Sequence, residues 1–234
     1  MSAGYLRRVD TITQMRARLT RNELLQRAAE EFDRHGYVHA TVDAISGHSR
    51  TTKGCLYFHF TSKEALARGV IDEGFARFER ACAQRLTMHT RAFEALIALS
   101  HVLADYGRDD PTLRAAFRLL FEIGDYRGGG EAPTVFEAWT LQCRNLVRRA
   151  LEEGDLRAGT DPDALAEVLV EMAYGARVLA AATGALDDLP RRVTAAWRRL
   201  LPTLVNPDAE TYFLQFAERR TPTDPRRGGQ PTSS

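Results

Sequence analysis

A chain of 234 residues, 44% hydrophobic and 27% charged, is long enough to bury a sizeable core in one or two domains. Its formal net charge of +1 excludes a uniformly basic coat, so any nucleic-acid role has to come from a local patch. No apolar run approaches the ~20 residues that span a bilayer, and Cys55, Cys82 and Cys143 are too few and scattered for a disulfide framework or metal cluster. The first residues, MSAGYLRRVDTITQ, lack the apolar core of a signal peptide, so a cytoplasmic location is expected.

Residues 1–19 read as a flexible basic arm. Arg7, Arg8, Arg16, Arg18 and Arg21 face only Asp10 over the first twenty-two residues. Such an arm either follows phosphates and the minor groove or simply solubilises the chain. Arg16, Arg18 and Arg21 are assigned to DNA. The first helix is expected from Thr20, where Thr20-Arg-Asn-Glu23 fits a capping box. Leu24, Leu25, Ala28, Ala29 and Phe32 form its apolar stripe, and Gly36 stops it. Tyr37 is expected to pack beneath a helical hairpin at Thr41–Phe60.

Thr41–Phe60 reads as two short helices around a tight turn. Thr41 caps the first, with Val42, Ile45 and Ser49 inward. The second starts near Thr51 or Thr52, and Leu56 and Phe60 share its inner face by i, i+4 spacing. Thr52, Lys53, Tyr57 and His59 are left facing outward. Hydroxyls and an ammonium meet phosphates or base edges, and Gly54 permits close backbone approach. Lys53 and Lys63 are the only lysines among the 32 basic residues, the rest being arginines. A helical hairpin with a merely solvated face fits the same pattern.

Thr61-Ser-Lys-Glu64 is a second capping box, opening a helix to about Arg85 with Lys63 in its phosphate-attracting first turn. Further helices are expected at 91–106, at 111–123 behind Asp110-Pro111, from Ala132-Pro133 to Glu153, from Asp161-Pro162 to about Thr183, at 189–204, and from Asn206-Pro207 to about Arg220. Residues 124–131 are expected as a loop and 221–234 as a disordered tail. With no alternating strand pattern, the fold class is all-α. The domain reading is an arm (1–19), a helix-turn-helix unit (20–66), a ligand-binding and dimerisation domain (67–220) and a tail (221–234).

Phe117, Leu120, Phe121, Trp139, Leu146, Tyr174 and Val178 fall on three of these helices. They line either a pocket for a small, mainly apolar ligand or plain core. Asp163–Thr183 is rich in alanine and glycine, and with Leu189–Leu204 it suits a two-fold four-helix interface or a buried intrachain pair. The six histidines show no metal-ligand spacing. No phosphate-cradling loop or nucleophile turn is present. An enzyme, a metal and a cofactor are therefore not expected.

Phe32-Asp-Arg-His-Gly-Tyr37, Thr41, Ile45, Thr52-Lys-Gly-Cys-Leu-Tyr-Phe-His-Phe60 and Lys63-Glu-Ala-Leu66 resemble the DNA-binding domain of TetR-family repressors. The likeness spans about Arg21 to Glu73. Thr52–Phe60 has the form typical of the γ-butyrolactone receptor branch. Phe136-Glu-Ala-Trp139, Asp155-Leu-Arg through Asp161-Pro-Asp163, and Tyr174-Gly-Ala-Arg-Val178 also resemble that branch, more loosely. The resemblance implies a homodimeric repressor with an N-terminal helix-turn-helix domain and a C-terminal helical domain. It would bind a palindromic operator and be released by a small signalling molecule. It implies DNA contacts at Thr51, Thr52, Lys53, Gly54, Tyr57 and His59, with Thr41 and Lys63 at phosphates. Trp139 would wall the ligand pocket.

Two positions depart from the family pattern. Arg50 stands where a turn glycine is usual, and Ala176 where lactone receptors often carry threonine. A diverged receptor answering to antibiotics or their precursors, and a helical binding protein without operator binding, are the alternative readings.

Overall fold

The computed structural model describes residues 3–47, 53–87, 89–125 and 133–220, with side chains from residue 14 onward. Among them are ten α-helices: α1 (Ala3–His39), α2 (Val42–Ser46), α3 (Lys53–His59), α4 (Lys63–Arg85), α5 (Ala92–Asp109), α6 (Pro111–Ile123), α7 (Val135–Glu152), α8 (Pro162–Ala182), α9 (Leu189–Leu204) and α10 (Pro207–Glu218). A 3₁₀ turn at Leu186–Asp188 and an isolated bridge between Leu156 and Val205 complete them. The all-α expectation holds. The chain forms two compact units, Met1–Glu79 with Asp109–Tyr126, and Arg80–Arg108 with Arg127–Ser234.

In the first unit, α1 does not start at Thr20. It extends upstream to Ala3, because Tyr5–Leu19 contains no glycine or proline to stop it. Glu23, expected to reach back as half of a capping box, instead takes Arg27 as an i, i+4 partner at 3.0 Å. Gly36 ends the regular helix as expected. Its φ of 75° and ψ of 175° suit glycine alone, and a Cβ there would lie 2.6 Å from Arg118 Nη2 and Glu122 Oε1.

Leu24, Leu25, Ala28, Ala29 and Phe32 of α1 are buried with Ile45, Leu56, Phe60, Leu66, Val70, Phe75, Leu113, Phe117 and Leu120. The α4 cap lies one residue later than expected: Ser62 Oγ accepts from Ala65 N at 3.0 Å. The Thr-x-x-Glu pattern at Thr61 is one register out because Ser62 offers an equally good cap. α6 starts where Asp110-Pro111 predicts. The Asp110 carboxylate accepts from Thr112 N and Leu113 N at 2.7 and 3.1 Å.

In the second unit, α7 begins at Val135 rather than behind Ala132-Pro133. Thr134 and Glu137 form a complete capping box, leaving Pro133 outside the helix. Trp197, Phe93 and Phe213 centre the core, with Phe93 edge-on to both other rings. The Trp197 indole donates to Ser100 Oγ at 2.7 Å. Glu153 accepts from Ala92 N at 2.7 Å, so its carboxylate supplies the first turn of α5. Buried Asp155 is paired with Arg91. Arg157 donates to the carbonyls of Val205 and Pro202 at 3.0 and 2.8 Å, fastening the loop before α8 to the end of α9.

Candidate nucleic-acid interface

The short helix α3 is held from one side. Leu56 is fully buried and Phe60, just past its end, is nearly so. The guanidinium of Arg21 lies 5.0 Å from the centre of the Phe60 ring, so α1 closes over this anchor. Residues off the Leu56–Phe60 stripe point outward: Lys53 and Gly54 are exposed, Tyr57 is half exposed and Phe58 is 82% exposed. Phe58 belongs to the motif but carries no expected role. Its place two residues after Leu56, about 200° around the helix, is the signal that marks it as outward. His59 is partly covered and meets the Phe58 ring edge-on at 5.2 Å.

α2 is capped by Thr41, whose Oγ1 accepts from Ala44 N at 3.1 Å. The expected capping role is therefore present, and it occupies the same hydroxyl that was assigned to a phosphate. Lys53, expected to face outward and unengaged, forms an ion pair with Asp43 of α2. That carboxylate raises the Lys53 pKa, through its hydrogen bond first and its charge second. Asp43 was not among the expected site residues. It is two positions ahead of buried Ile45, off the inner stripe, and that spacing places it on the outer face.

Lys63 is also engaged within the unit. Its Nζ donates to Val38 O at 3.3 Å and lies 4.7 Å from the Tyr37 ring centre. Tyr37 stacks on Phe32 of its own helix at 6.1 Å. Arg16, Arg18 and Arg21 are all exposed on α1. The structure thus brings Arg21, Thr41, Lys53, Gly54, Tyr57, His59 and Lys63 onto or beside one small hairpin. Thr51, Thr52, Ser49 and Arg50 lie outside the described residues. So do residues 126–131 of the expected loop, Ala132 and the 221–234 tail.

A sequence profile of bacterial regulatory proteins of the tetR family matches residues 24–70, covering the hairpin and its flanking helices. A second profile, of the tetracyclin repressor-like C-terminal domain, matches residues 90–206. The chain belongs to the TetR family. It is 29% identical over 194 residues to the A-factor receptor protein of Streptomyces griseus, covering 83% of this chain and 67% of that one. The crystal structure of a γ-butyrolactone receptor, an ArpA-like protein, matches with a TM-score of 0.74 at 29% identity, over 88% of this chain and 98% of that one. The Streptomyces coelicolor TetR-family protein CprB, solved in complex with its operator sequence, matches with a TM-score of 0.75 at 29% identity, over 89% of this chain and all of that one (100%). TetR-family members are transcriptional regulators, so the expectation of a regulator rather than an enzyme stands.

The expected ligand residues of this TetR-family chain are divided between its units. Phe117, Leu120 and Phe121 lie on α6 in the first. Phe117 and Leu120 are buried there, Phe117 edge-on to Phe75 at 5.4 Å, while Phe121 is 70% exposed. Trp139, Tyr174 and Val178 lie on α7 and α8 in the second and are all partly buried. Phe136, one turn before Trp139, meets Tyr174 edge-on at 4.8 Å. Leu146 is packed against the second unit's core.

The sequence pattern assigns no role to Arg177, one turn after Tyr174, which is 4% exposed. Gly107 makes room for it: a Cβ there would stand 3.2 Å from its Nε. Burial pushes the Cys143 thiol up to about 11, which keeps it protonated and unreactive. Among the described residues no helix is long and apolar enough to cross a membrane, and no group of three or more His, Cys, Asp or Glu could hold a metal ion.

Proposed function

We propose that this protein is a homodimeric, ligand-responsive repressor. Its α2–α3 hairpin would enter the major groove of a palindromic operator, and a small lactone-type signalling molecule in the second unit would release it. The observation that carries this reading is α3 itself. Buried Leu56 and Phe60 hold its back, leaving Lys53, Gly54, Tyr57 and Phe58 for the groove. Exposed Arg16, Arg18 and Arg21 add charge on α1 for phosphates. The likeness to a receptor for A-factor and to an operator-bound relative supports both halves of the reading.

Dimerisation is assigned to α8 with α9. Val168 and Leu179 of α8 are 49% and 57% exposed on one helical face, with open space at Gly175 between them. Apolar side chains flanking a glycine let two helices approach closely. For the effector, Phe136, Trp139 and Tyr174 offer an aromatic wall, with Val178 beside Tyr174 on α8. Repression and release are then a coupling between two sites: a ligand that favours a conformation unfit for the operator weakens DNA binding by its differential affinity.

The test is a gel-shift titration on duplex fragments taken upstream of the protein's own coding region. The full-length protein is expected to retard one fragment, and Lys53→Ala to weaken that binding at least about tenfold. γ-Butyrolactones are then added against a panel of antibiotics and their precursors. Release by lactones supports the receptor reading. Release by antibiotics alone favours the diverged receptor, to which Ala176 in place of threonine points. Failure of every fragment to bind sinks the repressor reading.

A further inference from the structure

The pair between Lys53 and Asp43 links the two helices of the hairpin through the side chain best suited to meet DNA. Both partners are largely exposed, at 60% and 69% of their side-chain surface, so the pair is not a core bridge. Asp43 is not needed to cap α2, because Thr41 already satisfies Ala44 N. Its backbone carbonyl accepts from Gly47 N at 2.7 Å, a bond independent of the side chain. Among the described residues the carboxylate has one evident occupation, which is the Lys53 ammonium, and the raised pKa of Lys53 agrees with this.

We propose that Asp43 is a positioning residue that limits operator affinity by competing with DNA for Lys53. This rests on the DNA-binding reading above. A phosphate or base edge must take the ammonium from a carboxylate already bound to it. Once Lys53 turns to DNA, Asp43 is left as an anion beside a polyanion and has to gather a cation. That uptake offsets part of the counterion release that drives association. Asp43 thus works against Lys53, so only a fragment that offers Lys53 a well-placed acceptor gains its full contribution.

The experiment is fluorescence anisotropy on a labelled duplex that the full-length protein retards, across a range of salt concentrations. Wild type, Asp43→Asn, Lys53→Ala and the double variant are compared, with thermal melts confirming that all four are folded. Asp43→Asn keeps the shape and removes the charge. It is expected to tighten binding about threefold near physiological salt and to steepen the log K against log[salt] slope by up to about 0.9. In the Lys53→Ala background the same change is expected to tighten binding clearly less, because only the bare carboxylate's repulsion remains and there is no Lys53 to compete for.

Equal tightening in both backgrounds would mean that Asp43 repels DNA directly, which overturns the proposal. So would an Asp43→Asn variant of unchanged affinity while Lys53→Ala binds weakly. If Lys53→Ala itself binds as wild type does, the reading of Lys53 as a DNA contact falls, and this proposal with it.

Discussion

Arg114 of α6 grips Asp33 of α1 through two nitrogens, Nη2 at 2.7 Å and Nε at 3.0 Å, on the same carboxylate oxygen. One turn on, Arg118 donates to the Asp33 carbonyl at 2.8 Å, and Glu122 accepts from the Tyr37 amide. These bonds tie α6 to the end of α1 and to the Gly36 turn that leads into α2. Arg114→Ala should cost about 1 kcal/mol, the upper range for a partly exposed pair. Asp33→Ala should cost a similar amount, and the double variant less than the sum. Urea midpoints measure all three, and strict additivity would show that the pair does not couple.

The back and front of α3 should respond differently. Leu56→Ala opens a cavity at a fully buried site, which typically costs about 2–5 kcal/mol, and should lower Tm and DNA affinity together. Tyr57→Ala removes a half-exposed side chain. It should weaken DNA binding while leaving Tm unchanged. A stable Leu56→Ala protein, or a Tyr57→Ala protein with full DNA affinity, would contradict this division of the helix.

Trp139→Ala tests the effector wall. Wild-type affinity for DNA is expected, with release requiring at least about tenfold more lactone, as for a lost aromatic anchor. Normal release by the same lactone would leave Trp139 as core only.

His101 gives the fold a pH dependence. It is 3% exposed, with Nδ1 2.9 Å from Ile97 O and Nε2 3.0 Å from Thr194 Oγ1. Burial holds its pKa below the ordinary 6.5. The unfolded chain therefore binds a proton that the folded chain resists. The resulting stability is present above pH 6.5 and is lost as pH falls below it. His101→Gln should flatten this part of the Tm against pH curve, and an unchanged slope would assign the dependence elsewhere.

The local signals were legible in the residues. Asp110-Pro111, Asp161-Pro162 and Asn206-Pro207 mark three helix starts, and the structure begins α6, α8 and α10 at those prolines. A cap and its first turn lie within four residues, so their chemistry is written in neighbouring letters. The inner stripe Leu56–Phe60 and the stop at Gly36 were legible for the same reason. Thr20, Thr61 and Pro133 mislead because a capping pattern is equally at home in a helix interior or one residue out of register.

The hairpin motif pointed to the surface proposed to read DNA, but the engagements of its side chains came only with tertiary structure. Asp43 of α2 meets Lys53 of α3, Lys63 reaches back 25 residues to Val38, and α6 joins α1 from 81 residues along the chain through Arg114 and Asp33. Periodicity states which way a side chain points from its own helix. Which group of another helix it meets there depends on packing between distant segments, and that is decided only when the whole unit closes on its core.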